Sequence, residues 1–182
     1  MIDTQSSDEI LVEILQQKSG RNVHKAMDLL YARYSNRMLE YFYYSFNKDR
    51  EKAQDFVQDL FLKLLEKPER FDTNRKFKSW VFSVASNMCK NEYRKIGTEN
   101  KYNEQVSYEL KNANDSIPEP GFTINVAISQ LKNDYKNHII LRYKFKMSVR
   151  EISEVLECPE GTVRSKLFYA TKELSKNLTK VL

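Results

Sequence analysis

Only eight of the 182 residues are Gly or Pro, and their positions limit the fold more than any other feature of the chain. An average protein carries roughly 12% of the two together, so turn-dense sandwiches, barrels and collagen-like repeats are poorly served by this sequence. Gly20, Pro68, Gly97, the Pro118/Pro120/Gly121 cluster and the Pro159/Gly161 pair fall between periodic segments and cut the chain into helix-length blocks. The expected fold class is therefore all-α. With 41% hydrophobic and 12% aromatic residues the chain can build a core, and at this length it can build one large or two small ones. The longest largely apolar run, 81–89, is far short of the roughly 20 residues that span a bilayer, so no membrane insertion is expected. The start, Met1-Ile2-Asp3-Thr4-Gln5, has no basic segment followed by an apolar one, which predicts a cytoplasmic protein.

The blocks read as follows. Ser6 with Glu9 three residues later forms a capping box that opens a short helix bearing Ile10, Leu11, Ile14 and Leu15 on one face. After Gly20, the residues Val23, Ala26, Met27, Leu30, Tyr34, Met38 and Tyr41 recur mostly in steps of three and four, as in a long amphipathic helix. A third helix is expected from about Asp49 to Lys67. Its core stripe is Ala53, Phe56, Val57, Leu60, Phe61 and Leu64, and its far side carries Asp55, Gln58, Asp59, Leu62 and Glu66. One leucine among exposed acids suits a partner surface, and it equally suits an ordinary solvated face, since isolated exposed apolar residues are common. A fourth helix is expected from Phe77 to about Lys95. Beside its apolar face runs a stripe of Trp80, Ser83, Asn87, Lys90, Asn91 and Arg94, and the loop before it supplies Phe71, Asn74, Arg75 and Lys76. A ring to stack on a base, amides to bond its edge and cations to hold phosphates suit unpaired nucleic acid. Residues 97–122 lack periodicity and read as an acidic linker, giving two small helical domains at 1–96 and 123–182.

Charge is distributed to match. The net of +5 is mild, but between residues 75 and 95 Arg75, Lys76, Lys78, Lys90, Arg94 and Lys95 face only Glu92. Between 99 and 121 five acids face two lysines, and beyond Thr162 the basic residues lead again. Two basic regions separated by an acidic stretch suggest two contacts with a polyanion.

Near the C-terminus, Ser148-Val149-Arg150-Glu151 is a capping box opening a helix over 149–157, with Val149, Ile152, Val155 and Leu156 at helical spacing. Cys158-Pro159-Glu160-Gly161 breaks it, and another helix follows with Val163, Leu167, Ala170 and Leu174 inward. Two short helices joined by a tight break make a helix-turn-helix, whose second helix displays Arg164, Ser165, Phe168, Tyr169 and Lys172. At the start of such a helix, Arg can pair with guanine edges and apolar groups can touch thymine methyls. The pattern alone also admits a plain helical hairpin with a basic face.

The run 148–172, above all Gly161-Thr162-Val163-Arg164-Ser165-Lys166-Leu167, resembles region four of bacterial RNA polymerase sigma factors of the extracytoplasmic-function (ECF) group. Upstream, Leu30-Tyr31-Ala32-Arg33-Tyr34, Asp55-Phe56-Val57-Gln58-Asp59-Leu60-Phe61-Leu62, Phe71-Asp72 and the stretch 77–87 resemble region two of the same group, in the right order. The resemblance implies a sigma factor that binds core RNA polymerase and directs promoter-specific initiation. It places Thr162, Arg164, Ser165, Lys166, Phe168, Tyr169 and Lys172 at the minus-thirty-five element, with Arg164, Ser165 and Phe168 reading bases. It places Phe71, Asn74, Arg75, Lys76, Trp80, Asn87, Lys90, Asn91 and Arg94 at the minus-ten element, where the loop and Asn87 would hold a flipped base. It assigns Asp55, Gln58, Asp59, Leu62 and Glu66 to the clamp helices of the polymerase's largest subunit, with the flap as a further polymerase contact. By the same resemblance the acidic linker follows the path of nascent RNA, and an anti-sigma protein is a candidate partner.

No phosphate loop, His-Glu-x-x-His or Cys-x-x-Cys is present, and His24, His138, Cys89 and Cys158 stand apart, so no catalytic, metal or cofactor site is expected. The alternative to a sigma factor is a self-sufficient helix-turn-helix regulator with a ligand-sensing or dimerising N-terminal domain.

Overall fold

The computed structural model describes residues 2–18, 20, 22–103 and 120–181. They form eight α-helices and, among the described residues, no strand. Helix α1 (Asp8–Gln16) is capped by Ser7, whose hydroxyl accepts from the Ile10 amide at 3.4 Å. The expected Ser6 cap does not form: that hydroxyl donates to Asp3 and accepts from the Asp3 amide. Glu9, its expected box partner, reaches another helix, accepting from the Phe77 amide at 3.0 Å and so capping α4.

Helices α2 (Asn22–Ser45) and α3 (Arg50–Glu66) follow the predicted periodicity. Asp49 caps α3 by accepting from the Lys52 amide at 3.0 Å. A 3-10 turn at Pro68–Arg70 leads into the next loop, and the Gln16 amide ties it to α1 by donating to the carbonyls of Pro68 (3.0 Å) and Phe71 (2.8 Å). Helix α4 (Phe77–Asn103) does not stop at Lys95 but runs through Gly97, so the first seven residues of the expected linker are helical. A single helical Gly costs about 1 kcal/mol relative to Ala, too little to end a helix by itself. At the other end, α5 (Pro120–Ser129) begins on a proline, which the first turn of a helix tolerates. The remaining linker residues, 104–119, lie outside the described residues.

Helix α6 (Asn133–Ile139) passes through a π-turn at Ile140–Lys144 to α7 (Val149–Leu156) and α8 (Glu160–Val181). The Ser148 box is complete: its hydroxyl accepts from the Glu151 amide (3.1 Å), and the Glu151 carboxylate accepts from the Ser148 amide (2.8 Å). Glu157 ends α7 in the left-handed conformation, φ 53°.

Helices α1 to α4 wrap a core of Leu11, Leu30, Met38, Phe42, Leu60, Phe77 and Val81. A smaller cluster of Leu131, Ile139 and Ala170 holds α6 to α8. The first core does not end at α4, because Phe145, Met147, Ile152, Val155 and Val163 continue it. The two helical units thus meet along a seam in which α7 lies on α4.

Candidate nucleic-acid interface

On α8, Val163 and Ala170 are buried, and this fixes which face looks outward. That outward face carries Arg164, Ser165, Phe168, Tyr169 and Lys172, as expected. Phe168 and Tyr169 are 63% and 52% exposed, their rings edge-on at 5.4 Å. Two adjacent exposed aromatic rings offer apolar surface beside cations, the combination that meets thymine methyls and phosphates. Arg164 is braced by Glu160, donating to its carboxylate at 2.7 Å. Thr162 is half-buried at the helix start. Lys166 is turned inward: it pairs with Asp134 of α6 at 2.5 Å and lies 5.4 Å from the Tyr135 ring centre. The hydrogen bond to Asp134 raises its pKa. A lysine held this way is a strut between α6 and α8.

Around α4, Asn74, Arg75 and Lys76 in the preceding loop are exposed, as are Asn87, Lys90, Asn91 and Arg94 along the helix. Asp72 orders the loop by accepting from the Asn74 amide and side chain, both at 3.0 Å, and the backbone bond is the leading reason its carboxyl titrates below the ordinary value. Phe71 does not offer its ring to a base. It is 2% exposed, edge-on to Phe77 at 5.5 Å and to Trp80 at 5.4 Å. Aromatic quadrupoles favour these tilted contacts, so the phenylalanine serves the core. Trp80 is half-buried against both rings and keeps only part of its surface for stacking.

The seam contains residues that the sequence reading did not select. Ser79 and Ser83 are buried because α7 covers them: Ser79 donates to Glu154 (3.1 Å), Ser83 to Glu157 (3.3 Å), and Lys78 pairs with Glu151 (2.9 Å). The bond to Lys78 is the main reason the Glu151 carboxyl falls to about 2. Beside these contacts a cleft of about 650 Å³ opens between Arg75, Lys76 and Lys78 on one side and Arg150, Glu151 and Glu154 on the other. Deeper in the seam, the Tyr41 hydroxyl donates to the Asn137 side-chain carbonyl, and the Asn137 amide donates to the Ser86 hydroxyl at 2.7 Å. Lys136, buried and therefore lowered in pKa, donates to Asn47 at 2.7 Å. The only local signal is the 151/154 spacing, which puts two carboxylates on one side of α7 without saying what they meet; Glu157 follows at its left-handed end.

On α3, Asp55, Gln58, Asp59, Leu62 and Glu66 are all exposed, Leu62 by 53%. The structure adds Leu65 beside Leu62, and an exposed Tyr31 resting on Phe61 at 4.8 Å. The Leu62/Leu65 pair was readable in the sequence as two leucines that the core stripe leaves out. Among the described residues no group of three or more His, Cys, Asp or Glu side chains is placed to hold a metal. No helix among them is long and apolar enough to cross a membrane.

Comparisons with known proteins follow the same division of the chain. Residues 30–98 match Sigma-70 region 2, and residues 122–174 match Sigma-70 region 4. The ECF RNA polymerase sigma-E factor of Haemophilus influenzae is 31% identical over 189 residues, covering 95% of each chain. The RNA polymerase sigma-H factor of Pseudomonas aeruginosa is 29% identical over 193 residues, covering 98% of this chain and 97% of that one. In fold, the chain is similar to the sigma factor RpoE of Bartonella quintana, solved in complex with the anti-sigma factor NepR. That likeness has a TM-score of 0.69 at 22% identity and covers 85% of this chain and 98% of that one. Two sigma regions in their proper order, each on its own helical unit, make this chain a member of the ECF sigma-factor family, which binds core RNA polymerase and directs promoter-specific transcription initiation.

Proposed function

We propose that the promoter is read by two faces of this chain and the polymerase held by a third. Residues 123–182 carry the minus-thirty-five contact, with Arg164, Ser165, Phe168 and Tyr169 toward base edges and Lys172 toward phosphate. Residues 1–96 carry the minus-ten contact, through Asn74, Arg75 and Lys76 in the loop and Asn87, Lys90, Asn91 and Arg94 on α4, with Trp80 contributing its exposed edge. The α3 face of Asp55, Gln58, Asp59, Leu62 and Glu66 docks on the polymerase's largest subunit, with Leu62 and Leu65 as its apolar centre. The observation that carries the first assignment is the exposed Phe168/Tyr169 pair flanked by Arg164 and Lys172 on the second helix of a helix-turn-helix. The other two rest on exposure of the matching side chains.

The chain does no covalent chemistry of its own in this reading; it directs catalysis by a partner in the cytoplasm. Extruding a base costs a few kcal/mol, so opening starts most cheaply at weakly stacked steps. The Bartonella protein's complex supports an anti-sigma protein as a further partner here. The test is transcription in vitro with purified core polymerase on a library of randomised promoters. Enrichment of two separated elements is expected, with Arg164→Ala relaxing the upstream one and Asn87→Ala the downstream one. Enrichment of a single element unaffected by the α4 substitution would overturn the two-face assignment.

A further inference from the structure

The face of α4 that would meet the promoter is not wholly open. The acids of α7 sit on its first turns, Glu151 on Lys78, Glu154 on Ser79 and Glu157 on Ser83, at 2.9, 3.1 and 3.3 Å. Ammonium and hydroxyl groups donating to a row of anionic oxygens is the chemistry by which proteins hold a nucleic-acid backbone. Here carboxylates three residues apart, two on α7 and one at its left-handed end, supply the oxygens. They bury Ser79 and Ser83 and leave Asn87, Lys90 and Arg94 of the same helix exposed.

Distance makes the arrangement exclusive. Elements centred at minus ten and minus thirty-five lie about 25 base pairs apart, roughly 85 Å along a duplex at 3.4 Å per pair. The helix following α7 reads one element and α4 the other, yet α7 touches α4 directly. A chain in this state cannot occupy both. The seam has an apolar centre, where Phe82 meets Phe145 at 4.9 Å with Tyr41 edge-on to Phe82 and Met147, Ile152 and Val155 continue the core, and a polar rim. Around that centre it depends on hydrogen bonds and ion pairs, among them Lys144 with Glu40 at 2.8 Å. Half-exposed ion pairs weaken with salt and are exchanged readily for other partners.

We propose that the ridge Glu151, Glu154 and Glu157 is an internal competitor of promoter DNA for α4, so that the free protein is closed against single-stranded DNA and opens when region four is drawn away. The inference rests on the assignment of α4 to the minus-ten strand.

Two measurements on the full-length protein test it. Zero-length carbodiimide coupling followed by peptide mass spectrometry should join Lys78 to Glu151, with Lys52 and Glu92, paired at 2.6 Å inside region two, as the internal standard. Recovery of the standard without the Lys78–Glu151 product would overturn the closed state. Fluorescence anisotropy with a labelled random 20-nucleotide single strand then compares E151Q/E154Q/E157Q with the charge-matched control E13Q/D28N/E51Q, whose three acids are exposed away from the seam. The seam variant should bind at least tenfold tighter than the control, and equal binding would overturn the competition. If Asn87→Ala/Lys90→Ala leaves single-strand affinity unchanged, the assignment of α4 itself fails. If that variant weakens binding while the seam variant gains nothing over its control, the ridge alone is at fault.

Discussion

Tyr41 and Asn137 are 96 residues apart in sequence, and the hydrogen bond between them is buried between the two sigma regions. Their energetic coupling therefore reports whether the two units fold against each other in solution. Replacing Tyr41 by Phe leaves the Asn137 carbonyl without its donor in a site where burial holds the phenol neutral; a stranded buried polar group costs about 1–3 kcal/mol. Replacing Asn137 by Ala takes one partner from each of two buried hydroxyls, those of Tyr41 and Ser86, which keep their contact with each other, at about 1–3 kcal/mol. Once Asn137 is gone, removing the Tyr41 hydroxyl no longer strands its carbonyl, so the second step costs less than the same change in the wild type. The double-mutant cycle should therefore show a coupling of about 1–2 kcal/mol. Urea titration of the wild type, both single variants and the double variant, followed by circular dichroism at low salt, measures it. Additivity within about 0.5 kcal/mol would refute the shared seam, because residues that never touch do not couple.

Arg164→Ala should cost about 1–3 kcal/mol of discrimination at one position of the upstream element, read as relative transcription from single-base promoter variants. Replacing Asp59 and Leu62 together by Lys should weaken binding to core polymerase while leaving the thermal unfolding curve in place, since both side chains project from α3 into solvent. His138 is 2% exposed and its Nε2 has no hydrogen-bond partner, so burial lowers its pKa below the ordinary 6.5 against the smaller opposing pull of the Asp134 backbone and carboxylate. The unfolded chain then binds the extra proton first, and stability should fall as pH drops below about 6.5, less steeply in His138→Gln. Burial pushes the Cys89 thiol up to about 12 and also raises that of the half-buried Cys158, so a thiol reagent on the native protein should modify Cys158 first, more slowly than a free thiol, and Cys89 only on unfolding.

Helices with a strong one-sided pattern were readable directly. The α3 stripe, the α7 box and the α8 faces lie where spacing put them, because an apolar stripe has one way to be buried. Single-residue signals were weaker. Gly97 reads as a stop, but its cost is small beside a helix already running. Ser6 reads as a cap, but Ser7 has the amide within reach. The resemblance assigns Phe71 to a base, yet two neighbouring rings in the fold claim it. The seam was the least legible part. Its partners lie some 50 to 100 residues apart, and nothing in a window of helical length announces that Glu154 will meet Ser79 or that Asn137 will lie between Tyr41 and Ser86.

The continuation of α4 through Gly97 to Asn103 bears on promoter architecture. A connection of twenty-six residues, 97–122, would reach about 90 Å at full extension, whereas the sixteen residues 104–119 reach about 55 Å. The seven helical residues between add a fixed length of roughly 10 Å at 1.5 Å each, pointing wherever α4 points. Promoter spacing changes in steps of 3.4 Å per base pair. A connection with less slack and one stiff end is a stricter ruler, so this chain should tolerate fewer inserted or deleted base pairs between its two elements than one tethered by twenty-six residues.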